Sequence, residues 1–246
     1  SVVGEKTEEI GFIIGDFGEQ VEQELISIAE ALGAKGRIYH QEQPLGTAHA
    51  IWCARQSLVG KVTVAFADTL FDAGFSMNTE EDGIIWNHKV EDPSAFGVVR
   101  KNSDGTIAGF VEKPKEYVSN EAIIGIYYFK SGENLLAELQ YLIDNNVTKG
   151  GEYQLTDALQ NMLDKGLKFK TNDVREWLDC GNPLATIQTN QRVLALKADI
   201  EQRVSDKVIC TNSTIIPPVC IAEGVELNNS VVGPYVSISR EPKVSN

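Results

Sequence analysis

Cysteine is scarce and unpaired in this chain. Cys53, Cys180, Cys210 and Cys220 form no CxxC pair. Neither a zinc site nor a disulfide framework is expected, and the four read as free thiols of a reducing compartment. Positive charge is also short: 22 lysines and arginines stand against 35 aspartates and glutamates, a net charge of -13 over 246 residues. Over most of the surface that charge repels phosphate, which excludes loose binding to DNA, RNA or anionic lipid. No apolar run approaches the roughly 20 residues of a membrane helix, and no signal peptide opens the sequence. The three histidines, His40, His49 and His88, are dispersed, and each reads as an ordinary surface or helix residue rather than a ligand or base. Hydrophobic residues at 42% and charged residues at 23% suit a folded globular chain and not a disordered one. The length allows one large domain or one and a half average ones. A cytoplasmic protein acting on small molecules is the expectation.

What is present is an alternation of strands and helices. Ile10–Ile14 is a short β-branched run of strand length. Val21, Leu25, Ile28, Ala29 and Leu32 recur at helical spacing, with Gly33 as the stop. A strand over Arg37–His40, a helix over Ala48–Ser57 and an apolar strand over Lys61–Asp68 complete the grammar of an α/β layer. Further on, Gly83–Val90 reads as a strand and FGVVRKNSDGTIAGFVEKP as a hairpin turning at Asp104-Gly105. Ala122–Phe129 is a buried strand. Helices are expected over Gly132–Asn145, Gln154–Lys165 and Asn182–Arg203. Beyond Arg203 the pairs Val219/Ile221 and Val225/Leu227 repeat every six residues. Val236/Ile238 resume after a rung one residue short, which suggests the start of a parallel β-helix. The closing SREPKVSN reads as a loop.

Several polar residues sit where chemistry is possible. Asp68 ends an apolar strand, at the edge where open α/β folds bind ligands; it could hold Mg²⁺ or cap the following turn. QPLGTAHA lies between a strand and a helix. There Gly46 permits close backbone approach, Thr47 can cap the helix, and free N–H groups suit anionic atoms, as in many αβ loops. Gln43 carries both donor and acceptor, as reading a base edge requires. Asp179 in WLDCGN is a second acid before a helix, open to a capping role. Lys113 in EKP could clamp a phosphate or be solvated. Thr156 and Asp157 stand near a helix start, where capping accounts for them.

Taken in order, PLGTAHA, a strand ending in Asp, FGVV, EKP, GIYYF, EYQLTDAL and WLDCGN resemble the sugar-1-phosphate nucleotidylyltransferases over about Ile10–Leu196. The resemblance implies an α/β fold, a Rossmann-like mixed sheet with helices on both faces, over residues 1–203. It implies the start of a left-handed parallel β-helix over 204–246. It also implies roles by position. Gln43, Gly46 and Thr47 would bind the nucleotide. Asp68 and Asp179 would hold a catalytic Mg²⁺, with Gly181 giving the tight turn. Gly97, Glu112 and Tyr127 would line the sugar site, and Lys113 would meet the sugar phosphate. The implied partners are a nucleoside triphosphate and a sugar-1-phosphate, with glucose-1-phosphate and dTTP or UTP ahead of mannose-1-phosphate and GTP. A nucleotide-sugar-binding regulatory protein is the alternative from another class. Acyl transfer in the hexad tail is disfavoured, because its usual histidine base has no candidate after Asn102. Exposed apolar rungs would favour a homo-oligomer.

Two departures from the family pattern stand out. Ala67 precedes Asp68 where the family has glycine. The family also opens with a strand and a Gly-rich loop, roughly GxGTRLxPLT and a PK pair, that holds the triphosphate; SVVGEKTEEI has no counterpart. The expectation is a shortened chain lacking that first strand and loop. Read as complete, it would have little transferase activity.

Overall fold

A computed structural model describes residues 7–72, 79–198, 203–240 and 243–245. In chain order the first elements are β1 (Glu9–Ile14), α1 (Glu19–Ala31), β2 (Lys35–His40), α2 (Thr47–Cys53), β3 (Val62–Ala65), β4 (Thr69–Asp72), β5 (Gly83–Lys89), β6 (Gly97–Lys101), β7 (Ile107–Glu112) and β8 (Glu121–Phe129). There follow α3 (Gly132–Asp144), α4 (Leu155–Asp164), β9 (Phe169–Asp173), β10 (Glu176–Asp179) and α5 (Pro183–Leu196). Seven short strands close the order: β11 (Ile209–Thr211), β12 (Thr214–Ile215), β13 (Val219–Ile221), β14 (Glu226–Asn228), β15 (Val231–Val232), β16 (Val236–Ile238) and β17 (Lys243–Ser245). By compactness the chain forms two units, Ser1–Ala67 with Phe71–Trp177, and Asp68–Leu70 with Leu178–Asn246.

The first unit is a mixed α/β layer. β8 is its axis, pairing antiparallel with β3, β5 and β6, while β9 joins β5 in parallel and β7 closes the hairpin on β6. β8 is buried along nearly its whole length, and its period of two sorts it between two cores. Ile123, Tyr127 and Phe129 enter one cluster; Ile124, Ile126 and Tyr128 enter the other. The first cluster is covered by helices, because α3 and α4 each present an apolar stripe: Leu135, Leu139 and Leu142 from one, Leu155, Ala158, Leu159 and Met162 from the other. Ser131 caps α3 by accepting from the Asn134 N–H at 3.1 Å, which fixes where that stripe starts. The second cluster is covered by Val174, Phe71 and Trp177. β1 pairs in parallel with β2 as a separate two-stranded sheet, bridged by α1.

The second unit contains the coil. Ile209 pairs with Glu226 and Glu226 with Lys243, a step of 17 residues, and β12–β15 and β13–β16 keep the same step. Val219, Ile221, Val225, Leu227 and Val232 fill its interior. One corner is built from Asn212 and Asn229, both at positive φ (50° and 49°) and joined by a 2.8 Å side-chain hydrogen bond. Asparagine suits that corner because it tolerates left-handed backbone.

Three expectations are corrected. α5 ends at Leu196 and does not run to Arg203, whose backbone instead accepts from Ile221 N–H at 2.7 Å in the coil; residues 199–202 of that expected helix lie outside the described residues. The end of the chain is not all loop, since Lys243–Ser245 pairs with β14. The strand toward Asp68 stops at Ala65, which leaves Asp68 in a turn. No helix among the described residues is long and apolar enough to cross a membrane.

Leu139 is fully buried in the helix-covered core. Leu139→Ala is expected to cost about 2–5 kcal/mol of unfolding free energy, lost transfer energy plus a cavity, read as a lower midpoint in urea denaturation.

Candidate active site

Two carboxylates meet in the second unit. Asp68 is held by its own backbone, whose carbonyl accepts from the Cys180 N–H at 2.8 Å. Asp179 is held at both ends: its carbonyl accepts from Thr189 Oγ1 at 2.6 Å, and its Oδ1 from the Gly181 N–H at 2.9 Å. A methyl carbon placed on Gly181 would stand 3.1 Å from Asp179 Oδ1 and 3.4 Å from Asp68 Oδ2. Both acids therefore point at the hollow that this glycine leaves open. The capping role weighed for Asp179 belongs to Asn182, whose side chain accepts from Ala185 N–H at 2.9 Å with Pro183 following as the first helical residue. Neither acid has an ion-pair partner among the described residues. Ala67 is exposed.

Paired oxygen donors of this kind suit a hard cation. Among the described residues no third carboxylate, histidine or cysteine joins them, so water and phosphate oxygens must complete any coordination. Mg²⁺ binds in that way, through one or two carboxylates with substrate phosphates. The donor set fits it.

The loop before α2 lies in the first unit and is tied to the segment before α4. Tyr153 N–H donates to Leu45 O at 2.8 Å, Ala48 N–H to Tyr153 O at 3.0 Å, and Leu155 N–H to Thr47 Oγ1 at 3.0 Å. Gly46 has φ 102°, and a side chain there would place its first carbon 2.5 Å from Tyr153 O. The close backbone approach expected at Gly46 is thus made by the chain itself. Thr47 does not cap α2: Gly46 is the N-cap, and the Thr47 hydroxyl is a cross-loop tie. The Ala48 N–H, expected to be free for an anion, is already bonded. Gln43 is exposed and lines a cavity of about 270 Å³ with His40, Leu45 and His49. Gln41 escaped the sequence reading. Its Nε2 donates to Gly46 O at 3.1 Å and lies 3.0 Å from His49 Nδ1, partners five and eight residues away that periodicity does not signal.

The hairpin carries a third group of residues, also in the first unit. Gly97 and Glu112 are opposite one another across β6 and β7. A side chain on Gly97 would come within 3.0 Å of Glu112 Oε2, which accepts from Thr156 Oγ1 at 3.3 Å. Burial pushes the Glu112 carboxyl above its ordinary pKa, opposed by the Thr156 hydrogen bond and by Lys113 and Lys149. Lys113 has φ 43° and its N–H donates to Phe96 O at 3.1 Å. A non-glycine residue in that region before a proline is strained, and the hairpin enforces it. Tyr127 is 4% exposed, with its ring 5.6 Å from Phe66 and 6.4 Å from Phe129. It is part of the helix-covered core and does not stand open as the sugar-site role would need.

Residues 1–195 match the family model described as nucleotidyl transferase. The chain is 28% identical to the glucose-1-phosphate thymidylyltransferase of Streptomyces antibioticus, over 96% of this chain and 71% of that protein. It is 24% identical to the enzyme of the same name from Streptomyces griseus, over 95% and 70%. A nucleoside-diphosphate-sugar pyrophosphorylase structure from Vibrio cholerae shares the fold, with a TM-score of 0.62 at 18% identity over 74% of this chain and 80% of that one. The chain belongs to the nucleotidyl transferase family and is an enzyme of the sugar-1-phosphate nucleotidylyltransferase kind.

Replacing Gly46 by Ala is expected to cost more than about 1 kcal/mol, from left-handed strain and displacement of Tyr153, read by denaturation. Glu112 gives a pH test. Its raised pKa means that the folded state holds this proton longer than the unfolded state does. Its contribution to stability is present below the ordinary glutamate range and is lost as pH rises through the folded pKa. The stability of Glu112→Gln relative to the parent should therefore improve as pH rises from about 4 to about 7. A flat difference across that range counts against a buried carboxyl.

Proposed function

We propose that this protein joins a nucleoside triphosphate to a sugar-1-phosphate, forming a nucleoside-diphosphate sugar and pyrophosphate. Glucose-1-phosphate with dTTP is the pair supported by the names of the Streptomyces relatives, and UTP, another pyrimidine triphosphate, is kept beside it. The observation that carries the reading is the convergence of Asp68 and Asp179 on the open side of Gly181.

The chemistry is an in-line displacement. A phosphate oxygen of the sugar phosphate attacks the α-phosphorus, and the bond from that phosphorus to the bridging oxygen breaks. Pyrophosphate leaves with the electron pair. The nucleophile is already an anion, so no general base is required, and catalysis reduces to positioning and charge neutralisation. Asp68 and Asp179 would hold Mg²⁺, whose charge would offset repulsion between the two anionic reactants. Lys113, exposed on a backbone held by Phe96, adds positive charge for the sugar phosphate. Glu112, oriented by Thr156, accepts from sugar hydroxyls, and Gly97, which has no side chain to crowd it, lets that carboxylate keep its place. Gln43, on the loop shaped by Gly46 and Thr47, offers donor and acceptor to the base.

Pyrophosphate release is to be measured with dTTP, UTP and GTP against glucose-1-phosphate and mannose-1-phosphate. Release with at least one pair is expected. Binding of a nucleotide sugar with no release from any pair would leave a regulatory binding protein instead. Asp68→Asn and Asp179→Asn should each lower kcat about 10²–10³-fold, with circular dichroism unchanged. The double variant should fall little further, since the two acids serve one charge.

A further inference from the structure

His49 on α2 is not among the residues given a role above, yet its surroundings are specific. Its ring stacks with Trp52, 5.9 Å away and 27° from parallel, and with Tyr153, 6.4 Å away and 26° from parallel. Its Nδ1 is 3.0 Å from Gln41 Nε2, and the same Nε2 is 3.1 Å from the Gly46 carbonyl oxygen. A carbonyl oxygen admits only a donor, so the nitrogen end of the Gln41 amide faces Gly46. That nitrogen has two protons to give and accepts nothing. His49 Nδ1 must therefore be the acceptor, which makes the imidazole neutral with its proton on Nε2. Both amide protons are then engaged, and the orientation of Gln41 is fixed.

We propose that neutral His49 is a positioning residue of the nucleotide loop: it locks Gln41, Gln41 locks the Gly46 carbonyl, and protonation of His49 frees Gln41 and with it that carbonyl, which weakens triphosphate binding. This rests on reading Gln43–Thr47 as the nucleotide-binding segment. An imidazolium carries hydrogens on both nitrogens and faces the Gln41 donor with another donor, so the hydrogen bond is replaced by repulsion. Burial holds the His49 pKa below the ordinary histidine value. The lock is accordingly present above the ordinary histidine range and is lost as pH falls through the folded pKa. The groups around the ring are mixed in charge. Cys53 Sγ is 3.9 Å from Nδ1, and His40, Glu42 and Arg55 line the same cavity. Arg55 sits over the Trp52 ring at 4.2 Å. On the facing segment, Glu152 accepts from Gln154 Nε2, and Tyr153 donates its hydroxyl proton to Asn146.

The test has two arms on the full chain. Imidazole ¹⁵N spectra, with His40→Gln and His88→Gln used to assign the three histidines, should show His49 protonated at Nε2 alone near neutrality. Its titration midpoint should lie below that of a free histidine, and the Gln41 side-chain protons should exchange slowly above the midpoint and rapidly below it. In the second arm dTTP binding is followed by calorimetry, and KM for dTTP by pyrophosphate release, from about pH 5 to about pH 8. His49→Gln keeps an acceptor that does not titrate and should keep tight binding throughout. The ratio of parent to His49→Gln, which cancels the titration of dTTP itself, should rise about fivefold to tenfold at the acid end, the size of one hydrogen bond, with kcat little changed. His49→Leu should bind weakly at every pH, with circular dichroism as the check on its fold. A proton on Nδ1 near neutrality, or a ratio flat with pH, overturns the lock. An intact lock without binding of dTTP, UTP or GTP at any pH overturns the nucleotide-loop reading, and the positioning role with it.

Discussion

Two like charges brought to one hollow govern the second unit. Carboxylates repel at short range, and a protein tolerates the arrangement only when its backbone enforces it or a cation repays it. Here the backbone enforces it. The Cys180 N–H holds the Asp68 carbonyl, Thr189 holds the Asp179 carbonyl, and Gly181 lacks the carbon that would fill the space between the acids. With Asn182 taking over the cap of α5, Asp179 keeps one carboxylate oxygen on the Gly181 N–H and no capping bond. The outcome is two acidic side chains facing one open position on an already acidic chain.

The first unit solves a different problem, holding two loops far apart in sequence in one conformation. The segment before α2 and the segment before α4 are zipped main chain to main chain through Leu45, Ala48 and Tyr153, with the Thr47 hydroxyl closing on Leu155. Gly46 is required for that contact. Rigidity here is an advantage, because a loop that is already ordered loses less entropy when a ligand arrives. Glu112 follows a similar logic: burial beside Gly97 raises the cost of its charge, and Thr156 and the nearby lysines recover part of it.

Much of this was legible from local pattern. The stripes of α3 and α4, the apolar run of β8, the turn at Asp104-Gly105 and the hexads of the coil all announce themselves in spacings of two, three to four, or six residues. Position 68 could be nominated because its acid follows an apolar strand-like run, and position 179 because its acid stands in a turn-prone stretch before a helix that resembles a family motif. What escaped lies in contacts that no local period encodes. Thr47 looked like a cap until Leu155 claimed its hydroxyl from 108 residues away. Gln41 looked like one more polar loop residue, overshadowed by Gln43. α5 was drawn too long because its amphipathic signal is weak and nothing between Leu196 and Arg203 marks a stop as clearly as a glycine would.

The 17-residue coil has an architectural consequence. Successive turns repeat the same short strands and the same asparagine corner and pair strand to strand at that step, while Asn190 of α5 ties to Tyr235 and Ser237 on the side. Stability in such a stack is close to additive. Evolution can therefore adjust this part in whole-turn increments, as a spacer of chosen height, and each increment leaves the geometry around Gly181 as it was.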